Sequence, residues 1–157
     1  MTSTTSACCA HLVGSGEKAS PFAKVIALGY YDGPTSGIVQ CRSCATEYKF
    51  DLLMWDEYQD RRIFTLAALP PHALSTIVNI LSPYTSPTWP VWVPLWQFPA
   101  EEDTNTVNSQ IENMLQQAKP PGCIISCSDL LGTITRAKCV TTPDLATVTD
   151  WFTFLEQ

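Results

Sequence analysis

Positive charge is scarce in this chain. Nine Lys and Arg stand against 15 Asp and Glu, for a net charge of -6 and a pI near 4.7. The longest basic run is Arg61-Arg62. A surface that follows a phosphate backbone needs clustered cations, so nucleic acid is not an expected partner. Long apolar runs are missing as well. No stretch approaches the roughly 20 apolar residues of a membrane span. The opening MTSTTSACCAHLVGSGEKASPF lacks the basic start and apolar centre of a secretory signal. The expectation is therefore a cytoplasmic protein with no membrane partner. Histidine is limited to His11 and His72, and neither G-x-S-x-G nor a phosphate-loop pattern occurs. The Gly-rich GYYDGPTSG contains no Lys and reads as a turn or binding loop, with Tyr31 and Asp32 as candidate contacts.

What is present fits one domain. A chain of 157 residues buries roughly 70% of its unfolded surface, so neither metal nor disulfide is required for folding. Residues 1–22 are rich in Ser, Thr, Ala and Gly without periodicity and read as a flexible tail ahead of a domain over 23–157. KVIALGYY, IVQC, TEYKFDLL and IFTLAAL are strand-like. In the third, Tyr48, Phe50 and Leu52 share one face while Glu47, Lys49 and Asp51 share the other. After Pro70-Pro71, Leu74, Ile77, Val78 and Leu81 fall on one helical face. A second helix is expected over 101–119, stopped by PPG, two more strands in GCIISCSD and GTITRAKCV, and a last helix in PDLATVTDWFTFLEQ. Hairpin-length links predominate. The expected fold is α+β: a mainly antiparallel sheet of about five or six strands with two or three helices on one face.

Seven cysteines, an odd number in a chain without an export signal, read as reduced thiols. Cys41 and Cys44 form a C-x-x-C turn between strands, in IVQCRSCATEYKF. That dozen residues is similar to one half of a zinc-ribbon or rubredoxin-like hairpin. The resemblance implies zinc and a second pair of ligands. Cys8 or Cys9 with His11, in CCAH, could supply them, with 29 residues between His11 and Cys41. Two chains could instead share a four-cysteine site as a homodimer. Ala45 stands where such ribbons often carry Gly. Three readings stay open: a zinc knuckle, a thiol-redox or iron–sulfur role, and two structural thiols. Cys123, Cys127 and Cys139 lie among β-branched residues and read as core thiols.

The segment PYTSPTWPVWVPLWQFP excludes helix and central strand by its prolines and reads as an extended loop or edge segment. Its Trp89, Trp92 and Trp96 are of a residue type enriched at binding hot spots. The functional expectation is a small soluble interaction or adaptor protein without enzymatic activity. It would bind a protein partner through residues 84–98, with zinc at Cys41 and Cys44 as a stabilising cofactor. Two alternatives are a thiol-redox or metal-dependent enzyme using Cys41 and Cys44, and a carrier whose pocket is lined by Tyr84, Trp89, Trp92 and Trp96.

Overall fold

The computed structural model describes residues 17–30, 33–83, 91–92 and 101–139, with Asp150, Thr153 and Leu155. Their elements are strands β1 (Lys18–Ala19), β2 (Phe22–Tyr30), β3 (Pro34–Cys41), β4 (Glu47–Asp56) and β5 (Arg61–Ala68), helix α1 (Ala73–Leu81), strand β6 (Val91–Trp92), helix α2 (Glu101–Leu115), and strands β7 (Lys119–Cys127) and β8 (Thr133–Cys139). The eight strands join one sheet in the order β1-β8-β7-β5-β4-β3-β2-β6. The six long strands pair antiparallel, and only the two-residue β6 runs parallel to its neighbour. The fold is α+β with a mainly antiparallel sheet.

Connectivity forces this sheet to curl. Only Ser20 and Pro21 separate β1 from β2, yet the two strands lie six positions apart in the sheet. A flat sheet would hold them about 29 Å apart, whereas three peptide links reach about 11 Å. The sheet therefore rolls until its ends approach. Hydrogen bonds stitch the seam. Ser20 donates its N–H to Gly132 O at 2.7 Å and its hydroxyl to Leu130 O. Pro21 O accepts the Arg42 N–H at 2.8 Å, and Ser20 O accepts the Arg42 guanidinium at 2.7 Å.

Curling gives the sheet an inside and an outside. Phe22 and Val25 from β2 share one buried cluster with Tyr48, Phe50, Phe64, Ile125 and Ile134, so side chains from opposite ends of the sheet meet. Phe50 and Phe64 meet edge-on with centroids 5.7 Å apart, and Phe22 and Tyr48 do so at 6.4 Å, a geometry that aromatic quadrupoles favour. Outside, Ile26 and Ile38 receive Leu74, Ile77 and Leu81 of α1 and Val107 and Ile111 of α2. Leu155 covers Ile63 and Ile124. The 3.6-residue spacing of the apolar side chains in α1 is what lets one stripe reach the sheet.

Two expectations need correction, on the tail and on Pro120-Pro121. The tail does not extend to residue 22: Lys18–Ala19 pair with β8, and Ser20 and Phe22 are buried. Pairing and burial override a composition typical of disorder. Within 84–98, Val91 and Trp92 form a short strand at the edge of the sheet against Ile26 and Ala27, in keeping with an edge segment; the rest of that segment lies outside the described residues. Pro120 and Pro121 belong to β7 rather than to a helix stop. They sit where the ladder jumps from Ala68↔Lys119 to Leu66↔Cys123, an irregularity that removes the demand for their missing N–H groups. Next to them Gly122 is required, because any Cβ there would overlap the Leu66 carbonyl oxygen. Most of the expected C-terminal helix lies outside the described residues; Thr153 and Leu155 are helical.

Candidate functional site

At the C-x-x-C turn the two cysteines part ways. Cys41 ends β3 with its side chain in the sheet interior, fully buried beside Phe22 and Tyr48. Cys44 is exposed on the turn, its thiol 3.2 Å from Thr46 Oγ1. The turn closes through Ala45 N–H to Cys41 O at 2.9 Å and Cys41 N–H to Thr46 O at 3.0 Å. Ala45 takes the left-handed conformation, φ 61°, the geometry that Gly would adopt without strain. A tetrahedral metal needs its sulfurs on one side of the loop, and here one faces the core and the other solvent. Cys8, Cys9 and His11 lie outside the described residues. Among the described residues, no three His, Cys, Asp or Glu side chains gather as metal ligands.

Cys123 and Cys127 share the sheet interior, as their even spacing predicts. Burial pushes both thiols up to about 12, and Asp129 adds to the effect at Cys127. They are protonated at neutral pH and poor nucleophiles. Cys139 ends β8, opposite Cys123 in the ladder.

The β4–β5 hairpin carries the most exposed aromatic residue described, Tyr58. Met54, Trp55, Asp56 and Glu57 form a shallow hollow with it. Arg62 lies over the Trp55 ring, 4.7 Å from its centroid. It also pairs with Asp60 at 3.0 Å and donates to Ser128 O at 3.1 Å. Asp56 accepts the Tyr58 N–H at 3.0 Å, closing the turn, and Asp51 pairs with Lys49 at 3.3 Å. Asp51, Asp56 and Asp60 are thus engaged in ion pairs and turn geometry. A methyl group placed on Gly33 would sit 3.5 Å from the Arg62 guanidinium, so the β2–β3 loop borders this hairpin. Tyr31 and Asp32, in that loop, lie outside the described residues, as do Tyr84, Trp89 and Trp96.

No protein-family model matches the chain, and neither a curated protein nor a solved structure does.

The charged residue that periodicity hides is Glu47. Alternation places it opposite Tyr48, but that face is covered by α1 and Glu47 is only 8% exposed. Helix α1 begins after His72, a left-handed residue with no side-chain cap. Glu47 replaces the missing cap from across the fold: its Oε1 accepts the Leu74 N–H at 2.7 Å. Its Oε2 accepts the Gln40 amide at 3.4 Å, and its main-chain O accepts the Leu69 N–H at 2.8 Å. The carboxylate lies at the positive end of the helix dipole. His72 itself is exposed. A capping signal is sought locally in sequence, which is why one supplied from 27 residues away escapes it.

Proposed function

We propose that this chain is a small non-enzymatic interaction protein that binds a protein partner. The observation that carries the reading is the β4–β5 hairpin, where Tyr58 stands exposed beside a Trp55 overlaid by Arg62. Tyr, Trp and Arg are the residue types that dominate interface hot spots. Here the Arg–Trp stack and the turn bonds pre-order the surface, which lowers the ordering cost of association. Residues 84–98 form a second contact in this reading, anchored by the pairing of Trp92 with Ala27 on the edge of β2. The working location is the cytoplasm; no described helix is long and apolar enough to cross a membrane. Zinc enters this proposal as a stabiliser held by Cys44 with ligands from the N-terminal Cys8, Cys9 and His11, and it requires Cys41 to turn out of the core.

The test is affinity purification from cells with wild type, Tyr58→Ala and Trp92→Ala, each checked for an unchanged melting temperature. One reproducible partner, lost with Tyr58→Ala and regained with Tyr58→Phe, is the expected result. Identical recoveries from wild type and Tyr58→Ala overturn the hairpin assignment. Metal content of untagged protein, with Cys44→Ser as control, tests the zinc component.

A further inference from the structure

The hollow at the tip of the β4–β5 hairpin has a volume of about 470 Å³. Its lining, Met54, Trp55, Asp56, Glu57 and Tyr58, holds two carboxylates, two aromatic rings and no cation. The two arginines that follow in the chain do not fill it. Arg62 is tied to Asp60, to Ser128 O and to the Trp55 ring, and Arg61 stands opposite Asp56 in the ladder. Asp56 accepts the N–H groups of Tyr58 at 3.0 Å and Gln59 at 3.4 Å, both through Oδ1. A carboxylate accepts about four hydrogen bonds, so Asp56 keeps capacity for a further donor. Glu57 is exposed, and among the described residues its carboxylate has no partner. Tyr58 is fully exposed on a turn whose shape is already fixed, by the two Asp56 bonds and by the left-handed Asp60, φ 49°.

We infer that this hollow takes a cationic side chain, Lys or Arg, from a basic segment of the partner protein; the inference rests on the hairpin reading of the proposed function and names the chemistry of what binds there. The cation meets the carboxylates of Glu57 and Asp56 and the ring of Tyr58, and its apolar stem lies along Met54 and Trp55, as long basic side chains do on apolar surface. Charge complementarity selects the class. An acidic segment, a nucleic acid or an anionic membrane is repelled by the two carboxylates and by a chain of net charge -6. A purely apolar segment would strip water from Asp56 and Glu57 without replacing it. A basic segment is steered in by the same field that rejects the others. Arg62 over Trp55 already shows a guanidinium seated on an aromatic ring of this hairpin. A free amine gains too little from a shallow site, because exposed ion pairs and exposed cation–ring contacts each contribute only about a few-fold in affinity. A segment adds contacts on either side of the cation.

Backbone amide NMR of the full chain tests the inference with tetralysine and with tetralysine acetylated at every Nζ, which keeps the stems and removes their charge. The expected result is saturable shifts at Glu57, Tyr58 and Gln59 with tetralysine, and binding weaker by about tenfold for the acetylated peptide. Glu57→Gln and Tyr58→Leu should each weaken tetralysine about threefold, whereas Glu112→Gln, which removes an exposed charge on α2 outside the hollow, should leave it unchanged. No saturable shifts at these amides, equal binding of the acetylated peptide, or equal weakening by Glu112→Gln and Glu57→Gln overturns the inference. Affinity purification with Glu57→Lys beside Tyr58→Ala separates it from the reading beneath it. Loss of the same partner with both variants is the expected result. A partner lost with Tyr58→Ala but kept with Glu57→Lys overturns the cationic side chain and leaves the hairpin standing; identical recoveries from wild type and Tyr58→Ala overturn both.

Discussion

The two faces of the sheet solve burial differently. Among the described residues the inside is closed mainly by strand side chains, with Phe22, Tyr48, Phe50 and Phe64 in one cluster and Leu130 of the β7–β8 turn completing it. The outside is closed by helices, and at its margin it tolerates a row of polar residues ending in a buried carboxylate. A rolled sheet can fill its inside only with apolar groups, because its backbone hydrogen bonds are already used in the ladders and leave few partners for a buried polar atom. A helix end brings free N–H groups to the outer face. That is what makes a buried Glu47 affordable there.

Four perturbations sharpen this contrast, in falling order of effect. Phe64→Ala should cost about 4 kcal/mol by opening a cavity in the inner cluster, read from urea denaturation; a loss below about 1 kcal/mol would mean that the inside is loosely packed. Alkaline pH should act on the inside through its two buried thiols. Cys123 and Cys127 hold their protons up to about 12 when folded, against the ordinary thiol value of 9.0. The unfolded chain releases them first, so stability is intact below pH 9.0 and declines above it. The slope approaches about 1.4 kcal/mol per pH unit per thiol, and Cys127→Ala should remove its share. Glu47→Ala should cost about 1–2 kcal/mol through the lost cap of α1 and should raise amide exchange at Leu74, while exchange in β7 follows only the global loss. At the turn that joins the two regimes, Ala45→Gly should add about 0.5–1 kcal/mol by relieving a positive φ; a destabilised variant would show that the left-handed geometry is not kept in solution.

Much of the architecture was legible from periodicity. Tyr48, Phe50 and Leu52 pointed to one face, and Leu74, Ile77 and Leu81 to one stripe, because alternation and the helical repeat are local properties. The roll was not legible. It depends on Lys18–Ala19 pairing with Thr133 and Ile134, and nothing in a Ser- and Ala-rich stretch announces a distant partner. The C-x-x-C spacing specified a turn but not the direction of its thiols. Cys41 still obeys the alternation of β3, whereas Cys44 has left the strand. Glu47 was assigned the right face, but whether that face meets water or a helix is decided only by tertiary packing. The charged residues of WDEYQDRR mark a connection between strands, but the stacking of Arg62 on Trp55 across the strand pair requires a register that sequence does not supply.

The seam at Ser20 has a consequence for how the protein is made. Its hydroxyl bonds to a carbonyl 110 residues further on, and β1 waits for β8. During synthesis the first strands must leave the ribosome with one wall of their aromatic cluster missing, and the roll can shut only after Ile134 has emerged. Such distant pairings are slow to find, and until then Phe22, Tyr48, Phe50 and Phe64 are displayed to whatever binds nascent apolar chain. A ribosome stalled before residue 134 should therefore carry a protease-sensitive, chaperone-bound intermediate rather than a smaller folded sheet.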